Sequence, residues 1–224
     1  MVILHRAVQA EDKAARRATI LAAAESLIVR DPENFASVAQ VAEAAGLAKG
    51  TVYLYFRTKE EMVLAVHAQH TQRMFEILGE LLAANHGHEM QPAQVVDSFC
   101  EFVTCTPMFL HLGAACHSSF QRNIDPEVMY QFRTGIAARL AQFGPLVEAR
   151  FPGLAPGDGI TVLHATYAFA LGMWQLCDPT QKQAKGIGER PGLEIFDRDF
   201  RQDIHGGLLA LWQGYMKAPR TSAG

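Results

Sequence analysis

Residues 37–61 read SVAQVAEAAGLAKGTVYLYFRTKEE, a run that contains three helix starts in succession. Ser37 followed by Gln40 forms a capping box: the serine oxygen accepts an exposed backbone N–H and the glutamine side chain accepts another, so a short helix opens at Val38. That helix stops at Gly46. The stretch Ala45-Gly46-Leu47-Ala48 supplies a glycine turn, and a second short helix follows over about Lys49 to Phe56. Thr58 and Glu61 form a second capping box, which opens a long helix. Val52 and Phe56, four residues apart, point into a three-helix core with Val41, Ala45 and Leu27, leaving Gly50, Thr51, Leu54 and Tyr55 on the opposite side. An eight-residue helix is too short to stand alone, so flanking helices must hold it while it presents one face outward.

The chain on both sides of this run is also helical. Ala15, Ile20, Ala24, Leu27 and Ile28 give an apolar stripe to a first helix from about Lys13 to Val29, stopped by Asp31-Pro32, with residues 1–10 expected as a flexible arm. The long helix from Lys59 to Leu82 is marked by Met62, Leu64, Val66, Met74, Ile77, Leu78 and Leu81. Gly87 and Pro92 separate it from the next helix, which ends near Thr106-Pro107. Further helices are expected over Met108 to Arg122, from Asp125-Pro126-Glu127 to Arg150, over Ile160 to Cys177 and over about Phe196 to Met216. A mobile polar stretch is expected from Pro179 to Gly192 and a disordered tail over 218–224. The alternating Val/Ile/Thr runs of strands are missing, so the fold class is all-α.

Composition narrows the function. With 224 residues, 49% hydrophobic and 19% charged, the chain buries a full core without metal or disulfide. The net charge of -3 does not announce a nucleic-acid binder. Residues 1–64 are nevertheless balanced, with 8 basic and 8 acidic side chains, and Lys13, Arg16, Arg17, Lys49, Arg57 and Lys59 fall in two clusters that permit one positive face. Cys100, Cys105, Cys116 and Cys177 show no C-x-x-C pair, which reads as reduced thiols in a cytoplasm. The most apolar run, Val162 to Cys177, is sixteen residues long and includes His164 and Gln175, which is short for a membrane span. The sequence contains no G-x-S-x-G elbow, Gly-rich phosphate loop or H-E-x-x-H helix, so no enzyme is expected.

Taken in order, the long first helix, S-x-x-Q-V-A-x-x-A-G, G-T-V-Y-x-Y-F and x-K-E-E resemble the DNA-binding signature of the TetR family of bacterial transcriptional regulators. The signature covers roughly Ala14 to Val66; downstream the resemblance is architectural. It implies a helix-turn-helix domain over residues 11–66 and a helical ligand-binding and dimerisation domain over 67–217. The second short helix would lie in the major groove of double-stranded DNA. Chemistry then assigns Lys49 and Thr51 to base edges, Gly50 to close backbone approach and Leu54 to a thymine methyl. Ser37, Tyr53, Tyr55 and Lys59 serve as phosphate anchors, together with the N-termini of the short helices; Arg16 and Arg17 are weaker candidates. Ala48 departs from the pattern, since relatives often carry a capping Ser or Thr there.

The resemblance also implies a ligand pocket among the middle helices. Its candidate lining is Phe99, Phe102, Met108, Phe120, Phe132 and Trp174, with His111, His117, Tyr167 and Gln175 as polar groups to orient a small-molecule effector. The apolar load of the last two helices, with Gly172, Gly206, Gly207 and Gly214, predicts a homodimer through a four-helix bundle, which would read a palindromic operator. No cofactor or metal is expected: the Cys/His group Cys100, Cys105, His111, Cys116 and His117 lacks the spacing of a metal site. A thiol- or metal-responsive sensor on the same scaffold is the alternative.

Overall fold

In the computed structural model the described residues are 2–84, 87–118, 120–177, 191–192 and 198–217, without the side chains of residues 2–10. They form α1 (Val2–Arg30), α2 (Val38–Ala44), α3 (Lys49–Tyr53), α4 (Lys59–Ala84), α5 (Pro92–Cys105), α6 (Met108–His117), α7 (Pro126–Glu148), α8 (Asp158–Cys177) and α9 (Phe200–Lys217), with one 3-10 turn over Gln121–Asn123. Among the described residues there is no strand.

The local signals act as their chemistry dictates. Gln40 N–H donates to Ser37 Oγ at 3.3 Å while Gln40 Oε1 accepts from Ser37 N–H at 2.9 Å, which completes the capping box of α2. Gly46 adopts φ +65, and around it Leu47 N–H bonds Ala42 O and Gly46 N–H bonds Glu43 O, the paired bonds of a Schellman turn. The second box is offset. Glu61 N–H donates to Thr58 Oγ1, but the Glu61 carboxylate takes the N–H of Arg57 at 2.8 Å, one residue earlier than a reciprocal box requires. Pro92 opens α5, and Asp199 caps α9 by accepting from Gln202 N–H at 2.8 Å.

Several boundaries differ from expectation. The arm expected over residues 1–10 belongs to α1, which starts at Val2; VILHRAVQA holds no Gly or Pro, and an established helix extends cheaply through such residues. Helix α3 closes at Tyr53, α6 ends at His117 and gives way to the 3-10 turn, and α8 begins at Asp158. Val41, Val52 and Phe56 are buried as expected, whereas Ala45 and Leu27 are half-buried and Ala15 is exposed; Ile20, Leu21, Ala24 and Ile28 carry the inward face of α1. The polar stretch 179–190 and the tail 218–224 lie outside the described residues.

The described chain forms two compact units: Met1–His70 with His111–Gln131, and Thr71–Leu110 with Phe132–Gly224. The first therefore takes in a segment that the expected division at residue 66 assigned elsewhere. Within it His111 Nε2 meets the Pro32 carbonyl at 2.8 Å, the Phe120 ring packs edge-on to Phe35 at 4.9 Å, Asn123 Nδ2 donates to Glu60, and Arg57 pairs with Asp125 at 3.2 Å. His70 Nε2 also reaches Glu25 at 2.6 Å, tying α4 to α1. In the second unit α9 packs on α8 and α5 around a core that includes Phe75, Val96, Phe109, Phe151 and Trp212. Trp212 Nε1 donates to Thr166 Oγ1, which itself donates to Val162 O. A Cβ at Gly207 would collide with the Phe169 ring, so glycine there sets how closely α9 approaches α8.

Candidate nucleic-acid interface and effector cavity

Helix α3 has one buried anchor, Val52, and Phe56 just beyond its end is also buried. Around them the surface is unusual for a short polar helix. Leu54 is 81% exposed and Tyr53 45%, where an isolated head would gain nothing from showing apolar area to water. Lys49 and Gly50 are exposed; Thr51 and Tyr55, expected on the side away from the core, are half-buried, Tyr55 lying past the end of α3 at Tyr53. The Lys49 ammonium lies 5.7 Å over the Tyr53 ring, and the Arg17 guanidinium lies 5.4 Å over Phe56. Lys13, Arg16 and Arg17 are exposed along α1, Lys59 is half-buried at the start of α4, and Ser37 is exposed at the start of α2.

Two details bear on what this surface meets. A Cβ built on Gly50 meets nothing within 4 Å, so packing does not demand glycine there. Ala48 occupies the N-cap position of α3 with φ -66 and ψ 140 and offers no side-chain cap; its carbonyl accepts from Thr51 N–H at 2.8 Å, while the N–H groups of Lys49 and Gly50 get no side-chain acceptor from it.

In the second unit, α4, α5 and α8 enclose a cavity of about 50 Å³. Of the expected ligand set, Phe99, Phe102 and Tyr167 line it, together with Met74, Ile77, Leu78 and Leu81, which were read as the apolar stripe of the long helix, and with Phe75, Val95 and Leu163. Ser98 and Thr166 also reach it, which the search for aromatic and sulfur side chains missed because small hydroxyls leave no compositional mark. Met108, His111, His117, Phe120, Phe132, Trp174 and Gln175 are not part of its lining. His111 and Phe120 are engaged in the first unit with Pro32 and Phe35, His117 and Gln175 are exposed, and Met108, Phe132 and Trp174 are half-buried.

The cysteines are free. Burial pushes the Cys100 thiol up to about 11, with the nearby Asp97 charge adding to it, and burial alone pushes Cys116 up to about 12. Thiols held protonated are poor nucleophiles and poor metal ligands. Among the described residues no three His, Cys, Asp or Glu side chains gather as a metal site.

Helix α8 is four residues longer than the apolar run read from sequence. Its most apolar 18 residues have a mean hydropathy of 1.2, long and apolar enough to cross a membrane by length and composition, and 22% of them are buried within one chain.

Residues 20–66 match the family described as bacterial regulatory proteins, tetR family, and residues 68–219 match the tetracyclin repressor-like C-terminal domain. Comparison with curated proteins finds no match. Among solved structures the chain is similar to a TetR family transcription regulator from Marinobacter aquaeolei VT8, with a TM-score of 0.52 at 17% identity over 91% of this chain and 96% of that one. It is also similar to a TetR/AcrR family regulator from Thermobifida fusca YX-ER1, with a TM-score of 0.51 at 16% identity over 92% and 100% of the two chains. Identities this low speak for the fold; the two family matches, which together span most of the sequence, carry the assignment. The chain belongs to the TetR family of DNA-binding transcription regulators, whose members are not enzymes.

Proposed function

We propose that the protein is a homodimeric repressor that reads a palindromic operator and is released from it by a small, apolar or amphipathic effector. The observation that carries this reading is the outward surface of α3, where Lys49, Gly50, Tyr53 and the 81%-exposed Leu54 stand beyond the inward anchors Val52 and Phe56. Lys49 and Thr51 meet base edges, Leu54 meets a thymine methyl, and Gly50 lets the backbone come close. Ser37, Tyr53, Tyr55 and Lys59 anchor phosphates and fix the register.

Two copies pair through α8 and α9. Support comes from the small exposed row Gly206, Ala210 and Gly214, four residues apart on α9, and from the low burial of α8 within one chain. The two α3 helices of the dimer then enter successive major grooves about one DNA turn apart. The effector occupies the cavity bounded by Phe99, Phe102 and Tyr167 and favours a dimer in which the two heads are wrongly spaced. Helices α4 and α6 each contribute residues to both units, so they carry the coupling, of the order of 1–3 kcal/mol. The cavity of about 50 Å³ is small for this role, and Met74 and Leu81 at its wall must turn to admit a ligand.

Selection of the purified protein against randomised duplex DNA at near-physiological salt tests the reading, since weak nonspecific affinity collapses there. An enriched palindrome supports it; no enrichment overturns it.

A further inference from the structure

Resting on the effector reading above, we infer that the cavity selects an electrically neutral, compact molecule that carries a single hydroxyl or carbonyl oxygen, and that Ser98 is the residue that reads that oxygen. Apart from Ser98, Thr166 and Tyr167, the lining is aliphatic, aromatic or thioether, and among the described residues it includes no Lys, Arg, His, Asp or Glu. An ionised carboxylate or ammonium brought here loses its water and finds no partner charge, whereas a neutral ring or short chain loses nothing by leaving water.

The hydroxyls differ in what they have left to give. Thr166 Oγ1 donates to Val162 O at 2.7 Å and accepts from Trp212 Nε1 at 3.0 Å, so its hydrogen is spent inside the core. Tyr167 lies with its ring 5.7 Å from Phe109. Ser98, half-buried on α5, takes part in no hydrogen bond among the described residues, so its hydroxyl retains both a donor and an acceptor. The space favours a compact molecule: about 50 Å³ is well short of the roughly 150 Å³ of an apolar cavity that holds benzene, so even a single small ring enters only once Met74 and Leu81 turn.

The test uses the full-length dimer and four probes of one shape: benzyl alcohol, benzoate, benzylammonium and toluene, titrated by calorimetry and by ligand-observed NMR at pH 7. The expected result is that benzyl alcohol binds at least tenfold more tightly than either ion and severalfold more tightly than toluene. Ser98→Ala brings the alcohol down to the toluene value and leaves toluene unchanged. Leu163→Phe, which fills the space, weakens all four. Benzoate or benzylammonium binding as tightly as the alcohol overturns the inference, as does an alcohol preference that survives Ser98→Ala, or no binding by any probe. The same probes are scored for release of operator DNA: a regulator that a charged molecule releases keeps the effector reading and loses this one, while benzyl alcohol binding without release keeps this one and removes that.

Discussion

Gly50 separates folding from function at a single position. Glycine in a helix costs about 0.5–1 kcal/mol relative to alanine, and here a Cβ meets nothing within 4 Å, so the fold has no use for the missing side chain. Gly50→Ala is expected to leave the urea midpoint unchanged or raise it, while operator affinity falls at least tenfold because the methyl holds the backbone off the DNA. Equal affinity in a binding isotherm would remove Gly50 from the interface. The cysteines give a second outcome that depends on pH. Cys105 is exposed while Cys116 is buried and Cys100 half-buried, so iodoacetamide at pH 8 should modify Cys105 first; at a pKa of about 11, only on the order of one Cys100 in a thousand is thiolate there. Because burial raises the Cys116 pKa in the folded state, its contribution to stability is complete below the unfolded value near 9 and is lost as pH climbs from there toward 12. Cys116→Ala should flatten that part of the alkaline unfolding curve, read by circular dichroism.

The short helices owe their existence to their ends. Gly46 stands at φ +65 inside a Schellman turn, and Gly46→Ala is expected to cost about 1–2 kcal/mol in chemical unfolding. Ala48, with the backbone angles of an N-cap and no oxygen to offer, is the complementary case: Ala48→Ser should add about 1 kcal/mol and, with a new phosphate contact, raise operator affinity. These end signals were legible in sequence because each depends on one or two residues close together in the chain: Ser37 with Gln40, Gly46 alone, Pro92 at the start of α5. The inward pair Val52 and Phe56 was legible for the same reason, through a spacing of four. What escaped was the start of α1, where no Gly or Pro interrupts the chain between Val2 and Lys13, and the half-burial of Thr51 and of Tyr55, which lies past the end of α3. The cavity was legible in part. Phe99, Phe102 and Tyr167 were found by type, but Ser98 and Thr166 were not, since a serine's role in a cavity is set by what it fails to bond, and composition cannot show that.

For the molecule as a unit, the assembly proposal places the exposed row of α9 against its symmetry mate. Ala210→Glu puts a charge at the centre of that row without disturbing the core of one chain, where Ala210 is exposed. It is expected to give a folded monomer by light scattering and to lose palindrome binding while keeping weak, salt-sensitive affinity for any DNA. A dimer that survives this change would move the interface elsewhere. The division at residue 66 was read from the end of a signature, and the two family matches meet there, at residues 66 and 68; packing draws a different line. The first compact unit is discontinuous because His111, Phe120, Asn123 and Asp125 return to Pro32, Phe35, Glu60 and Arg57 across 63 to 85 positions of chain, a distance no periodicity spans. This return has a practical consequence for anyone building chimeric regulators by exchanging reading heads. A graft cut after residue 66 leaves behind the groups that complete the donor head, so the Pro32 carbonyl and the Phe35 ring face whatever the new host offers. A chimera that carries residues 1–70 together with 111–131, or rebuilds the second segment in the host, is expected to unfold at a higher urea concentration than one cut after residue 66.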